Sequence, residues 1–206
     1  MVLEGVRVIA IIRTDGGDVV RVGRELAAEG VTALEVTLTT PGCLDAVAVL
    51  RRDLDGRCAV GVGTVRSAEQ AASAQAAGAQ FLVTPTVSAA VLAEAGVPVV
   101  CGALTPTEID TAWSGGAVAV KLFPASLGGP RYLREVRAPL PDVPLIPTGG
   151  VTADIVGEYA AAGAVAIAVG SAIVSSDLVA SGDWAGLRAR ARSFLDAAAR
   201  GWPDAH

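Results

Sequence analysis

Eight short apolar runs, separated by longer alanine-rich amphipathic stretches, constrain the fold of this chain more than any other feature. The runs are "VRVIAII" (6–12), "ALEVTL" (33–38), "CAVGVG" (58–63), "QFLV" (80–83), "VPVVC" (97–101), "AVAVKLF" (117–123), "VPLIP" (143–147) and "AVAIAVG" (164–170). Most are rich in valine, and glycine or proline sits at most joints, so each reads as a buried strand. The stretches between them predict helices near 18–29, 42–53, 67–77, 88–95, 106–114, 130–137 and 152–162, with a last one near 183–199. In "DVVRVGRELAAEG", Asp18 is the cap, Val19, Val22 and Leu26 share one face, and Gly30 is the stop. Thr105 and Thr152 stand at the starts of two others. Strands alternating with helices imply right-handed β-α units on a parallel sheet, either open and doubly wound or closed. Eight near-equal repeats without a long insertion favour closure into a single (β/α)8 TIM barrel, near the lower length limit of that fold. No linker or low-complexity tract breaks the pattern, so one domain over residues 1–206 is expected.

The strand faces also favour closure. In the sixth run Ala117, Ala119, Lys121 and Phe123 share one face while Val118, Val120 and Leu122 share the other. In the second, Ala33, Glu35, Thr37 and Thr39 oppose Leu34, Val36 and Leu38. In the eighth, Ala164, Ala166 and Ala168 oppose Val165, Ile167 and Val169. A barrel accounts for this split, because its interior narrows while its outer face packs on helices. Lys121 and Glu35 are then expected to point inward.

Composition excludes several classes of function. Net charge is −5 and no basic cluster stands out, which argues against a nucleic-acid partner and for a small-molecule task. The most apolar segment, residues 159–176, is cut by Gly163, Gly170 and serines, and reads as helix end, strand and loop rather than a membrane span. The N-terminal "MVLEGVRVIAII" has an acid before its apolar stretch and no cleavage site, so no signal peptide is read and a cytoplasmic protein is expected. Cys43, Cys58 and Cys101 are odd in number and far apart, as free core thiols would be. The sole histidine is His206, in a C-terminal "RGWPDAH" that reads as a helix end and frayed tail. No close grouping of histidine and cysteine offers a metal site, and none is expected.

Lys121 is the only lysine in the chain; every other basic side chain is arginine. An amine set in an apolar interior is desolvated toward its neutral, nucleophilic form, and adds to carbonyls to give an imine that serves as an electron sink. Arginine cannot do this, because guanidinium stays protonated. The competing reading is that Lys121 caps its strand and reaches solvent. Glu35 is out of place in a buried strand without a partner or a task. It is read either as a structural ion pair with Lys121 or Arg13, or as a general acid/base acting through a water. "PTGGV" (147–151) and "VGSAIV" (169–174) follow the seventh and eighth runs, where barrels acting on phosphorylated substrates present backbone N–H groups to the phosphate. Thr148 and Ser171 add hydroxyl donors there. Arg13, Thr64 and the Thr84–Pro85 pair end the first, third and fourth runs at the same rim, where an arginine could grip a carboxylate.

"EVTLTTP", "VGVGTV", "GAQFLVTP", "VKLFPA" and "IPTGGV" resemble, in order, segments of the 2-keto-3-deoxy-6-phosphogluconate (KDPG) and 4-hydroxy-2-oxoglutarate (KHG) aldolases. These are class I aldolases, including those of the Entner–Doudoroff pathway, and the resemblance spans roughly residues 6 to 174. It implies a (β/α)8 barrel assembled as a homotrimer, with no cofactor. It also implies reversible cleavage of KDPG to pyruvate and glyceraldehyde 3-phosphate. Lys121 falls on the imine-forming position and Glu35 on the acid/base. Thr64, Pro85, Phe123 and Thr148 fall on site-lining positions, and Gly149, Gly150, Gly170 and Ser171 on the phosphate loops. One position departs. Where gluconate-type members carry a carboxylate-binding arginine, this chain has Thr39, and Arg13 matches an arginine of the galactonate-type relatives. The galactonate epimer and KHG therefore stay open as substrates. Outside the class, a phosphate-binding barrel isomerase would need no imine, and a sugar-phosphate binding protein would not turn over.

Overall fold

The alternation is realised as eight parallel strands and nine α-helices among residues 2–202, the residues that the computed structural model describes. Met1 and residues 203–206, with His206, lie outside the described residues. The strands are β1 (Val8–Ile12), β2 (Ala33–Thr37), β3 (Ala59–Gly63), β4 (Leu82–Val83), β5 (Val99–Ala103), β6 (Ala119–Leu122), β7 (Leu145–Pro147) and β8 (Ile167–Val169). The helices that return the chain between them are α1 (Val19–Ala28), α2 (Cys43–Asp53), α3 (Ala68–Ala76), α4 (Ala89–Glu94), α5 (Pro106–Ser114), α6 (Gly129–Arg137) and α7 (Val156–Ala161). Each strand from β1 to β6 pairs with the next in chain order, and β8 pairs with β1. A bridge between Thr148 and Ala168, and a 3.0 Å bond from the Val165 N–H to the Leu145 carbonyl, bring β7 to β8 and complete the ring. Strict chain order leaves no reversal point of the kind an open doubly wound sheet has.

Helix starts follow the cap chemistry of the sequence. Asp18 accepts from the Arg21 N–H at 2.8 Å, and Thr105 and Glu108 form a reciprocal capping box before α5. Thr152 behaves differently: it precedes a 3-10 turn over Ala153–Ile155 without a side-chain cap bond, and α7 begins only at Val156. After β8 the chain forms α8 (Ser176–Ser181) before α9 (Trp184–Gly201). The sequence reading has no helix at α8, which falls in the stretch it left between the eighth strand and the last helix.

Two apolar cores result. The larger lies between strands and helices; the smaller fills the barrel with Ile9, Ile11, Ala33, Phe81, Val83, Val100, Ala119, Ile146, Ala166 and Ala168. The inward faces expected for β2, β6 and β8 hold within the strands. Ala117 and Ala164, which precede their strands, pack instead in the outer core. Phe81 is fully buried, and its ring occupies the space that a side chain at Gly61 would need, 2.6 Å from a Cβ built there. Phe81→Ala would empty the barrel floor, with an expected loss of about 3–5 kcal/mol of unfolding free energy, measured as a lower urea midpoint.

The three cysteines are free and buried. Burial pushes the Cys43 thiol up to about 11 and the Cys58 thiol to about 12, so neither is a thiolate near neutral pH. Among the described residues no helix is long and apolar enough to cross a membrane.

Candidate active site

Parallel closure brings the C-terminal ends of the strands to one rim, and Lys121 lies one residue before the end of β6. Its register neighbours are Gly102 on β5 and Ile146 on β7. It does not reach out to solvent: the residue is 4% exposed. Glu35, at the centre of β2, is fully buried, and its Oε1 lies 3.8 Å from Lys121 Nζ. That separation is an ion pair but too long for a hydrogen bond. Neither carboxylate oxygen of Glu35 receives a hydrogen bond from another described residue. A buried ion pair needs such bonds to offset desolvation, so a purely structural role accounts poorly for this one. Arg13, the other candidate partner for Glu35, turns away to Thr64, its Nη2 3.4 Å from Thr64 Oγ1.

Above the pair opens a cavity of about 430 Å³. Arg13, Lys121, Phe123, Thr148, Gly149, Gly150, Gly170 and Ser171 line it, joined by Ile11, Val151, Thr152, Ala168, Val169 and Ala172, which the sequence reading did not place there. Lys121 Nζ sits 5.4 Å from the centre of the Phe123 ring, so one wall is aromatic and cation-accepting. Of the pair, Lys121 alone lines the cavity; Glu35, Pro85, Thr39 and Thr64 are not part of the wall. Pro85 packs its backbone over Gly102, where a Cβ would fall 2.4 Å from its carbonyl carbon, while Thr84 Oγ1 accepts from the Gly102 N–H at 3.0 Å. The β4 rim thus rests against β5 beside Lys121.

Thr39 is drawn into a chain of hydroxyls. Thr37 Oγ1 lies 2.9 Å from Thr39 Oγ1 and 3.1 Å from Thr40 Oγ1. Thr40 Oγ1 in turn donates to the Ile12 carbonyl and accepts from the Thr14 N–H, both at 3.3 Å. Those contacts hold the backbone on both sides of Arg13, so the threonines of "EVTLTT" fix the arginine at the mouth. The run "TLTT" was the available signal, but the bonds from Thr40 to the backbone of Ile12 and Thr14 join two strand ends and cannot be read from one strand.

The far wall is a pair of glycine turns. Gly149 and Gly150 have φ of 87° and 76°, a region open to glycine, and a Cβ on Gly150 would meet Ser126 Cβ at 2.6 Å. The carbonyls of Thr148 and Gly149 are bonded by the N–H groups of Ala125 and Ser126, at 2.8 and 3.0 Å. The N–H groups of Gly149, Gly150 and Ser171 enter no backbone hydrogen bond among the described residues, which leaves donors at the cavity for an anion.

Thr64 is the one non-glycine described residue with positive φ, at 61°. A β-branched residue there stores about 1–2 kcal/mol of strain, at the point where its hydroxyl meets Arg13. Thr64→Gly is therefore expected to raise unfolding free energy by about 1 kcal/mol or less, after the added freedom of the unfolded chain, while turnover falls. Paired urea melts and kinetics check this; a loss of stability would remove the strain argument.

A lysine–glutamate pair inside a barrel, beneath a cavity with free backbone donors, matches the aldolase expectation. The family model for KDPG and KHG aldolases matches residues 1–189. The chain belongs to this family. A 2-dehydro-3-deoxy-phosphogluconate aldolase of Treponema pallidum is 37% identical over 94% of this chain and 94% of its own. A solved structure of native KDPGal superposes with a TM-score of 0.88 at 27% identity, over 95% of this chain and 96% of that one. A Legionella pneumophila KDPG aldolase, solved with pyruvate captured at low pH as a covalent carbinolamine intermediate, gives 0.85 at 26% identity, over 94% and 96%. This aldolase therefore shares its fold with an enzyme on which such an adduct has been captured.

Proposed function

We propose that this protein is a class I aldolase that cleaves KDPG reversibly to pyruvate and glyceraldehyde 3-phosphate, with Lys121 as the imine-forming residue. The observation that carries this reading is the buried amine of Lys121 at the floor of the cavity, 3.8 Å from a carboxylate that no other described residue hydrogen-bonds.

Nζ adds to the C2 carbonyl of the substrate to give a carbinolamine, which loses water to become an iminium. Glu35, through a water, accepts the proton of the C4 hydroxyl as the C3–C4 bond breaks. The bonding electrons move into the iminium to form an enamine, and the aldehyde leaves. The same carboxylic acid returns its proton to C3, and water hydrolyses the resulting imine to release pyruvate and the free lysine. Phe123 covers the apolar side of the pyruvoyl unit. The N–H groups of Gly149, Gly150 and Ser171, with Gly170 and Thr148, bind the phosphate, and Arg13 takes the carboxylate. Thr39, Thr64 and Pro85 act from behind the wall, through the rim they hold.

The test uses the uniqueness of Lys121. Pyruvate with borohydride should add the mass of one reduced pyruvoyl unit to the peptide carrying Lys121, the only side-chain amine present. An adduct confined to the N-terminus, or none with any 2-keto acid, would overturn the reading and favour a phosphate-binding isomerase or binder. Because Arg13 lines the cavity and Thr39 does not, the galactonate epimer is the second candidate substrate. Comparing kcat/KM for KDPG, its galactonate epimer and KHG decides between them. A homotrimer in the cytoplasm completes the proposal. The trimer is what the family resemblance implies, and buried free thiols suit a reducing compartment.

A further inference from the structure

The inner face of β3 carries no side chain where the barrel narrows: Gly61 and Gly63 both lie there. Neighbouring strands fill the two gaps. The Phe81 ring occupies the first, and the carboxylate arm of Glu35 occupies the second. A Cβ built on Gly63 would stand 1.9 Å from Glu35 Oε1, 2.5 Å from Cδ and 2.6 Å from Cγ. Three atoms of one side chain therefore lie across this glycine. Gly63 is paired in register with Thr37, two residues beyond Glu35, so the acid leans along β2 toward the rim and over β3. Its conformation does not explain the glycine, since Gly63 is absent from the positions with positive φ. Space is what the position requires.

We propose that Gly63 is a positioning residue for the reaction: its missing side chain lets the Glu35 carboxylate lie at 3.8 Å from Lys121 Nζ. No hydrogen bond from another described residue fixes either carboxylate oxygen, so packing is what defines where the acid stands. Lys121 attracts it from one side, and the bare backbone of β3 accepts it on the other. A methyl at residue 63 would meet the flexible end of a side chain rather than backbone, so the chain can fold around it by moving Glu35. The displacement falls on the group whose placement the chemistry depends on. This inference rests on the reading of Glu35 as the acid/base.

Gly63→Ala is expected to keep its urea midpoint close to the parent, and to form the borohydride-trapped pyruvate adduct to the same equilibrium extent. Its kcat should fall by about 10- to 100-fold, the scale of an ångström-sized misplacement, with KM little changed. Exchange of the pyruvate methyl protons with solvent should slow by the same factor, because that step belongs to the acid/base and not to the amine. The deciding measurement is a cycle with Glu35→Gln. If Gly63 acts through Glu35, Gly63→Ala costs almost nothing further in the Glu35→Gln background. Independent, multiplying losses would overturn the proposal, as would full proton exchange in Gly63→Ala. Should Gly63→Ala not fold, pairing it with Glu35→Ala, which removes all three of the atoms lying across residue 63, is expected to restore folding; failure to do so also overturns it. Full activity in Glu35→Gln alone would instead sink the acid/base reading, a separate outcome.

Discussion

Lys121→Arg is expected to abolish incorporation of pyruvate with borohydride and to lower kcat/KM by about 10⁴-fold or more. The substitution keeps a positive charge beside Glu35, so the buried carboxylate retains its counter-charge and the fold is spared most of the penalty of an unpaired acid. What it removes is the chance of a neutral amine, since guanidinium is protonated at every working pH. The site is only 4% exposed, and the larger head group has little room, so a modest drop in stability will accompany the loss. Lys121→Met serves as the complement. It preserves volume and removes the nucleophile, but leaves Glu35 alone in the barrel, with an expected cost of about 3–5 kcal/mol. Both variants should be inactive for a shared chemical reason while differing in stability. An arginine variant that still traps pyruvate on the internal peptide, or that turns over at more than about a hundredth of the parent rate, would place the nucleophile elsewhere.

The barrel and its two buried charges were legible because both are periodic facts. Alternation at period two assigns Ala119 and Lys121 to one face and Val120 to the other, and the closed ring puts that face inside. Ala117 and Ala164 escaped the rule only because their strands start later than the apolar runs do. The glycine turn after β7 was equally visible, since two successive positive φ values all but demand glycine. Less visible was anything defined across the ring. That Thr40 grips the backbone on both sides of Arg13 depends on how the ends of β1 and β2 meet. That Gly63 accommodates Glu35 depends on residues 28 apart in the chain lying on neighbouring strands, with Gly63 paired to Thr37 and the Glu35 side chain leaning toward it. A glycine in "VGVG" reads as a weak strand residue until its neighbour's side chain is seen lying over it.

Glu35→Gln is expected to lower kcat by about 10²- to 10⁴-fold, the range of a lost general acid/base, while equilibrium trapping of pyruvate persists. Folding and turnover measured together separate the two readings of this residue. If Glu35 served only to pair with Lys121, the amide would leave a buried ammonium without its counter-charge; the fold would weaken by about 3–5 kcal/mol, and turnover would follow stability. If Glu35 is held for chemistry, turnover collapses in protein that is still folded. Kinetics on samples shown by urea melts to be folded therefore decide: an amide variant that stays folded and traps pyruvate, yet turns over at about a hundredth of the parent rate or less, has lost the acid of the reaction and not merely a counter-charge.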